Sequence, residues 1–177
     1  MPATSSSGQA RHVLVLGGAR SGKTRRALAH ADGAAEKIYV ATAQAFDREM
    51  EDRIAAHKQE RAGQGWHTIE APLDLGGALS AEAPPEAIVV VDCLTLWLTN
   101  LMLGGHAVDD ATDALVAALS ATPARVVLVS NEVGLGIVPD NVLARQFRDA
   151  QGRLNQRLAA TVGTVELVVA GLVLRMK

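Results

Sequence analysis

A glycine-rich segment near the start of the sequence has the residue types and spacing of a phosphate-binding loop. Residues 17–24, GGARSGKT, match the pattern G-x-x-x-x-G-K-[ST] and stand between an apolar run, HVLVL, and a helix-forming run, RRALAHA. In such a loop the glycines allow a tight turn, while backbone N–H groups, the helix N-terminus and the lysine bind phosphate oxygens. The threonine hydroxyl can ligate Mg²⁺. The segment therefore predicts a nucleotide site centred on Lys23 and Thr24.

A histidine among cations is a second candidate for chemistry. In DRIAAHKQER, residues 52–61, helical spacing places Ile54, His57 and Arg61 on one face, with Arg53 one turn before the histidine. A solvated helix surface explains this pattern without any function. Alternatively, the cations keep the imidazole neutral, which is the form that a nucleophile needs. The pattern by itself leaves both interpretations open.

Polar or small residues follow the apolar runs at the points where strands are expected to end. Asp92 ends the run AIVVVD, and Thr42, Asn131, Glu132 and Gly171 lie at the ends of three others. Open α/β sheets bind ligands beyond the carboxyl ends of their strands. Beside a phosphate loop, an aspartate in this position holds Mg²⁺ or its water, although a helix cap is the simpler alternative.

Five β-branched runs predict the elements that position these residues: HVLVL, KIYVATA, AIVVVD, RVVLVSN and VELVVAG. Their near-continuous apolar character is typical of strands that are covered on both faces, and helical patterns lie between most of them. The sequence therefore predicts an α/β fold of the P-loop NTPase type, with a mainly parallel sheet flanked by helices in a single domain.

The helix predicted in DNVLARQFRDAQGRLNQRLAA has a clear apolar stripe. Asp140, just after Pro139, is its expected N-cap. Leu143, Phe147, Leu154 and Leu158 are expected to face the core, and Arg145, Arg148, Asn155 and Gln156 to point elsewhere.

The composition excludes several classes of protein. A chain of 177 residues fits one domain, predicted over residues 12–177 after a disordered tail at residues 1–11. The net charge of −2 offers no general attraction for nucleic acid. The single cysteine, Cys93, is expected to be small, buried and reduced, which fits the cytoplasm. The run CLTLWLTNLML is too short for a membrane span and predicts a buried helix.

Longer motifs make the sequence resemble a known family across residues 12–177. These are GGARSGKT, YVATAQAFDREMEDRIAAHKQER, VVVDCLTLWLTNLM, VLVSNEVGLGIVP and ARQFRDAQGRLNQRLA. Together they are similar to the bifunctional adenosylcobinamide kinase and adenosylcobinamide-phosphate guanylyltransferase of cobalamin biosynthesis. The resemblance implies that ATP or GTP phosphorylates adenosylcobinamide. It also implies that GMP passes from GTP to adenosylcobinamide phosphate through a covalent GMP-histidine, to give adenosylcobinamide-GDP.

The resemblance also implies roles for particular residues. His57 would carry GMP, Lys23 would be catalytic, and Thr24 would ligate Mg²⁺. The implied nucleotide contacts are Gly17, Gly18, Ala19, Arg20, Ser21, Gly22, Lys23, Thr24, Ala41, Thr42, Ala43, Lys58, Gln59, Glu60, Arg61, Glu70 and Asp92. Asp92 has two possible roles, one at the metal and one at the guanine or ribose of GTP. The family pattern further implies a homotrimer.

Two residues depart from the family pattern, and two other functions compete with it. Some relatives carry adjacent histidines where this chain has Ala56 and His57, and Val173 replaces an expected proline or small residue near the C-terminus. The alternatives are a plain P-loop small-molecule kinase, which needs no protein nucleophile, and a nucleotide-binding module that switches a partner.

Overall fold

The computed structural model describes residues 11–44, 48–80 and 83–177, apart from the side chains of residues 49–51, 53, 56, 57 and 60. Within these residues, helices connect most of the consecutive strands of one sheet. The strands are β1 (Val13–Gly17), β2 (Glu36–Ala41), β3 (Trp66–Glu70), β4 (Ala87–Asp92), β5 (Arg125–Asn131), β6 (Thr164–Val169) and β7 (Leu172–Arg175). The helices are α1 (Lys23–Ala29), α2 (Arg48–Arg61), α3 (Leu75–Ser80), α4 (Leu94–Leu103), α5 (Val108–Ala121) and α6 (Val142–Thr161).

The sheet has the strand order β3-β2-β4-β5-β1-β6-β7. Strands β1 to β6 are parallel, and only β7 runs antiparallel to its neighbour β6. The predicted α/β fold with a mainly parallel sheet is therefore confirmed. Strand β5 lies between β1 and β4, and parallel pairing brings the carboxyl ends of all three strands to one edge of the sheet.

Two apolar layers cover the sheet, one on each face. All five residues of β1 are buried, and successive side chains point to opposite faces. Val13 and Val15 pack in the layer that contains Ala27 of α1. Leu14 and Leu16 pack in the larger layer, built with side chains of α3, α4, α5 and α6. Burial on both faces is why the central strands read as continuous apolar runs.

Two strands were not predicted, and both lie at the edges of the sheet. In β3, WHTIE, the side chains of His67, Thr68 and Glu70 are exposed, so the segment lacks the apolar run of a central strand. All four residues of β7 are exposed, including Val173, and the strand pairs only with β6 in the described structure. Edge strands need little burial, and their sequences carry a correspondingly weak signal.

Helix α6 begins one residue later than predicted. Its N-cap is Asn141, whose Oδ1 accepts a 2.7 Å hydrogen bond from the backbone N–H of Ala144, so the assignment to Asp140 was wrong. Leu154 and Leu158 are buried as expected, but Leu143 is 54% exposed because the first turn of the helix extends beyond the core.

Asn155, which was expected to point away from the core, is buried. Its Nδ2 donates to the carbonyl of Asn131, and its Oδ1 accepts from Ser130 and from Gln151. The prediction failed because the end of β5 offers polar groups that this amide can satisfy inside the protein.

The apolar run that ends at Leu103 forms the buried helix α4, as predicted, with Trp97, Leu98 and Leu101 in the core. In the part of the chain that the structure describes, no helix is both long and apolar enough to cross a membrane. Residues 1–10 of the predicted tail lie outside the described residues. Arg11 joins the fold, because its guanidinium donates to the carbonyl of Thr122.

Candidate active site

The turn between β1 and α1 is so tight that two of its positions require glycine. A Cβ on Gly17 would stand 2.4 Å from the carbonyl oxygen of Val168. Gly22 precedes α1 with a φ of 101°, in the left-handed region that other residues rarely adopt. Residues 18–20 between them are exposed, so a phosphate group can reach the loop from solvent.

Lys23, the first residue of α1, folds back into this loop. Its Nζ donates a 2.7 Å hydrogen bond to the carbonyl of Gly18, and only 8% of the residue is exposed. Burial lowers the pKa of Lys23, and the neighbouring Asp92 carboxylate partly offsets this shift. No carboxylate forms an ion pair with Lys23 among the described residues. The ammonium is therefore placed to bind phosphate oxygens.

Asp92 connects the phosphate loop to β2. Its Oδ2 accepts a 2.9 Å hydrogen bond from the hydroxyl of Thr24 and another of 2.9 Å from the hydroxyl of Tyr39. Burial and the charge of Asp92 raise the pKa of Tyr39, so the phenol remains a proton donor. Thr24 and Asp92 thus form the hydroxyl–carboxylate pair that the sequence suggested for a magnesium ion.

Strand register brings the other predicted residues to the same edge of the sheet. Ala41 pairs with Glu70 on one side and with Asp92 on the other, so these three residues stand in a row across β3, β2 and β4. Gly17 pairs with Asn131 at the end of β5. The polar residues that follow the strands are therefore neighbours along one edge, as expected for a parallel sheet.

Thr42 joins the ends of β2 and β4. Its hydroxyl donates to the carbonyl of Cys93 and accepts from the N–H of Cys93, both at 2.8 Å, and Asn100 Nδ2 donates to its carbonyl. The hydroxyl therefore donates to and accepts from backbone groups, and the half-buried Ala41 and Ala43 lie on either side of Thr42.

Cys93, which was expected to be buried, keeps part of its surface exposed. The burial of its thiol raises the pKa of that group to about 11, so the thiol is neutral at physiological pH.

Arg61, the last residue of α2, is buried against Tyr39. Its guanidinium carbon lies 3.4 Å from the centroid of the tyrosine ring, and only 6% of the residue is exposed. Its Nε and Nη1 have no hydrogen-bond partner in the described structure. Buried polar groups are normally paired, because an unpaired one destabilises the fold. Arg61 is therefore a candidate ligand for an anion, joined to Thr24 through Tyr39 and Asp92.

An open cleft of about 610 Å³ adjoins Arg61, and Lys58, Trp66 and Glu70 help to line it. Lys58 Nζ lies 3.1 Å from Glu70 Oε1, and both side chains are more than half exposed. An exposed ion pair contributes little to stability, so both groups are available to a ligand. Gln59, on the same turn of α2, is also exposed.

The structure places His57 in α2, one turn before Arg61. The side chains of His57 and Glu60 lie outside its described part. The roles of His57 as the nucleophile and of Glu60 as a nucleotide contact therefore stay predictions.

Sequence reasoning missed Tyr39, which connects the two parts of the site. The sequence did contain an indication of its role, because Tyr39 is the only tyrosine in the chain and lies in a mainly apolar strand. A buried phenol needs a hydrogen-bond partner, and the edge of the sheet supplies one in Asp92. The turn after β6 also contributes, since the N–H of Gly171 donates to the carbonyl of Ser21 in the phosphate loop.

An ion pair on the buried carboxylate of Glu166 fastens α1 to β6. Arg26 Nη2 lies 2.6 Å from Oε1 of Glu166, and His30 Nε2 lies 3.0 Å from Oε2 of the same carboxylate. Hydrogen bonding from Arg26, with a smaller effect of His30, lowers the pKa of Glu166 to about 2. Because α1 begins with Lys23 and Thr24, this pair also holds the residues of the phosphate loop in place.

Replacing Glu166 by glutamine is expected to lower stability near neutral pH by about 3 kcal/mol, because Arg26 loses its buried partner. The pKa of Glu166 is lower in the folded protein, so its stabilisation is present above about pH 4.3 and is lost as the pH falls towards 2. The free energy of unfolding, measured with urea at several pH values between about 2.5 and 7, shows this loss of stability. Glu36→Gln, at an exposed position in β2, is the control. An unchanged pH dependence in Glu166→Gln would contradict the assignment.

Comparisons with known proteins identify the family of this chain. Residues 13–176 match the family model CobU, described as cobinamide kinase / cobinamide phosphate guanyltransferase. The bifunctional adenosylcobalamin biosynthesis protein CobU of Salmonella typhimurium is 44% identical over 180 aligned residues, which cover 93% of this chain and 99% of that protein. The corresponding protein CobP of Pseudomonas aeruginosa is 47% identical over 168 residues, which cover 93% and 96%.

A solved structure from Pyrococcus horikoshii OT3 matches the fold with a TM-score of 0.54 and 11% identity, over 95% of this chain and 86% of that one. A likeness at this identity supports the fold alone. The family model, in contrast, spans the phosphate loop, helix α2 and all seven strands of the sheet. The chain therefore belongs to the family of cobinamide kinases and cobinamide phosphate guanyltransferases, the bifunctional enzymes of adenosylcobalamin biosynthesis.

Proposed function

We propose that this chain catalyses both reactions of its family at the carboxyl edge of its sheet. The first transfers the terminal phosphate of ATP or GTP to the hydroxyl of adenosylcobinamide. The second transfers GMP from GTP to adenosylcobinamide phosphate through His57. The proposal rests above all on the continuous contacts from Thr24 through Asp92 and Tyr39 to Arg61, which join the phosphate loop to the helix that carries His57.

Phosphoryl transfer needs positioning and charge stabilisation more than covalent chemistry. The exposed loop backbone and Lys23 would bind the phosphates, and the Lys23 ammonium would stabilise the charge that develops on them. The Gly18 carbonyl that now accepts from Lys23 would give way to a phosphate oxygen, which is the stronger partner for a cation.

Thr24 and Asp92 fit a magnesium ion that binds with the nucleotide. Mg²⁺ prefers oxygen ligands and typically combines one or two protein groups with phosphate oxygens and water. The Thr24 hydroxyl and Asp92 Oδ2 are such oxygens and lie 2.9 Å apart. We assign Thr24 as a ligand and Asp92 as the group that holds the ion or one of its waters. When bound, the ion would neutralise phosphate charge.

Guanylyl transfer would take place at the part of this edge that lies beside helix α2. A nitrogen of the His57 imidazole attacks the α-phosphorus of GTP, a P–N bond forms, and the P–O bond to pyrophosphate breaks. A phosphate oxygen of adenosylcobinamide phosphate then displaces the imidazole and takes the GMP. The unpaired donors of Arg61 and the exposed ammonium of Lys58 would bind the phosphates during both steps.

Incubation with GTP labelled at the α-phosphate, followed by denaturing electrophoresis, tests this function. Label is expected to remain on the chain when the GTP is labelled at the α-phosphate and to be absent when it is labelled at the γ-phosphate. A plain kinase or a nucleotide-dependent switch would leave the chain unlabelled in both cases. Phosphorylation of adenosylcobinamide is measured separately, so the two activities can be scored independently.

Asp92→Asn and Glu70→Gln are expected to raise the KM for GTP by about tenfold, the usual effect of losing one charge-assisted contact. The melting temperature should change much less, because Glu70 is exposed and an asparagine side chain in place of Asp92 could still accept from Thr24 and Tyr39. Steady-state kinetics and thermal unfolding provide the two measurements, with Glu86→Gln at an exposed site as control. Equal losses of stability and GTP use would indicate structural roles instead.

We also propose a homotrimer located in the cytoplasm, where ATP and GTP are available. Support comes from β7, an edge strand that exposes Leu172, Val173 and Leu174, followed by the exposed Met176. Apolar edges of this kind are usually covered by another chain. Analytical ultracentrifugation is expected to give three times the chain mass of 18.5 kDa, and a monomer at micromolar concentration would contradict the proposal.

A further inference from the structure

Glu132 occupies a position beside the phosphate loop that the functions assigned so far do not use. It follows directly after β5, the strand between β1 and β4. Its backbone N–H donates a 3.1 Å hydrogen bond to the carbonyl of Gly17, the first residue of the loop. This bond fixes the backbone of Glu132 next to the site where the phosphates of a nucleotide would lie.

The carboxylate of Glu132 accepts a hydrogen bond from its own loop but forms no ion pair among the described residues. Its Oε1 accepts a 2.6 Å hydrogen bond from the N–H of Gly134, and the residue is half-buried. Among the residues that the structure describes, Oε2 has no hydrogen-bond partner and no cation forms an ion pair with the group. A bare carboxylate near a phosphate site repels the ligand, so its presence there calls for a chemical role.

The other carboxylates at this edge are less suited to act on an acceptor. Asp92 already accepts two hydrogen bonds, from Thr24 and Tyr39, and is the group proposed to hold the magnesium ion. Glu70 lies on the edge strand β3, four positions from β1 in the sheet, whereas Glu132 follows the strand that adjoins β1. Glu132 is therefore the described carboxylate that follows a strand next to β1, keeps a free oxygen and has no other assigned role in the site.

We propose that Glu132 accepts the proton of the acceptor hydroxyl in the kinase reaction. The hydroxyl oxygen forms a bond to the γ-phosphorus, the bond from that phosphorus to the β–γ bridging oxygen breaks, and the nucleoside diphosphate leaves. The hydroxyl proton passes to Oε2 of Glu132 and from there to water. Carboxylates that orient an attacking hydroxyl in this way contribute about 10² to 10⁴ in rate. The inference rests on the kinase function proposed above.

The segment after Glu132 is suited to hold the bulk of such an acceptor. Leu135, Ile137 and Val138 are between 62% and 97% exposed. Arg148 Nη2 donates to the carbonyl of Gly134, so a charged side chain of α6 holds the base of this loop. Apolar side chains are thus presented to solvent next to the carboxylate, where the non-polar part of a large alcohol could lie.

Glu132→Gln tests the proposal, because glutamine keeps the size of the side chain and can still accept from Gly134. The kcat for phosphorylation of adenosylcobinamide is expected to fall by about 10²-fold or more, while its KM changes little. Guanylyl transfer to preformed adenosylcobinamide phosphate needs no hydroxyl deprotonation and should stay within about threefold of the unmodified protein. Glu36→Gln, at the opposite end of the sheet, should leave both activities unchanged.

Three results with Glu132→Gln would overturn the inference. The first is a kinase kcat within about threefold of the unmodified protein, and the second is an equal loss of kinase and guanylyl transfer activity. The third is a loss of kinase activity that added Mg²⁺ restores. If Glu132→Gln does not fold, Glu132→Asp serves instead, and it is expected to keep guanylyl transfer and lose part of the kinase kcat. Failure of the unmodified protein to phosphorylate adenosylcobinamide would refute the proposed function itself and is distinguishable from all of these.

Discussion

Replacing His57 by alanine is expected to abolish the labelled GMP adduct and guanylyl transfer together. A phosphoramidate forms only when a neutral imidazole attacks the α-phosphorus, and alanine offers no nucleophile. Phosphorylation of adenosylcobinamide does not pass through that bond, so this activity should persist at least in part. Label retention from α-labelled GTP and separate assays of the two reactions measure the effect.

The chemistry of the adduct and a second histidine provide the controls. A histidine phosphoramidate is expected to be stable in alkali and to be lost in acid, because protonation of its nitrogen makes imidazole a good leaving group. His67, the next histidine along the chain and exposed in β3, is the matched site, and His67→Ala should keep the adduct. An undiminished adduct in His57→Ala would move the nucleophile to His67. Loss of both activities with an intact fold would place His57 in a shared nucleotide site instead.

Lys23→Ala is expected to lower phosphoryl transfer by about 10²- to 10³-fold, as for loss of one preorganised charge at a transition state. Lys23 is the buried cation at the start of α1, with its Nζ inside the loop. Arg20, Arg25 and Arg26 are close in sequence, but Arg26 is bound to Glu166 and none of them begins the helix. Initial rates of phosphorylation at saturating ATP or GTP measure the loss.

Lys23→Arg separates charge from geometry. Arginine keeps the positive charge, but its planar guanidinium does not fit a site shaped for a compact ammonium, so most of the activity should still be lost. Thermal unfolding shows whether each variant keeps the fold. Near-normal kinase turnover in a folded Lys23→Ala would mean that the phosphates bind elsewhere.

The parts of this protein that the sequence predicted are those with a local physical cause. The turn at residues 17–24 depends on glycines, a lysine and a helix start within eight residues, so the motif is complete in the sequence. The central strands β1, β4 and β5 are buried on both faces and therefore read as continuous apolar runs. Parallel pairing then brings their carboxyl ends, and the polar residues that follow them, to one edge.

The predictions that failed concern residues whose environment is formed by distant segments. Nothing near Asn155 in sequence shows that it will meet the carbonyl of Asn131, and the exposure of Leu143 depends on where the core ends. The edge strands β3 and β7 need a paired neighbour but little burial, so their residues carry no strong pattern.

The connections of the active site were decided only by the tertiary structure. Arg61 and Tyr39 are 22 positions apart, and Tyr39 and Asp92 are 53 apart, yet they are in direct contact. Glu166 reaches Arg26 across 140 positions, and Glu132 meets Gly17 through the pairing of β5 with β1. The sequence by itself determined which residues could do chemistry, because that depends on residue type and local spacing. Strand order and packing decided which of them form hydrogen bonds or ion pairs with one another, because those interactions act only over a few ångströms.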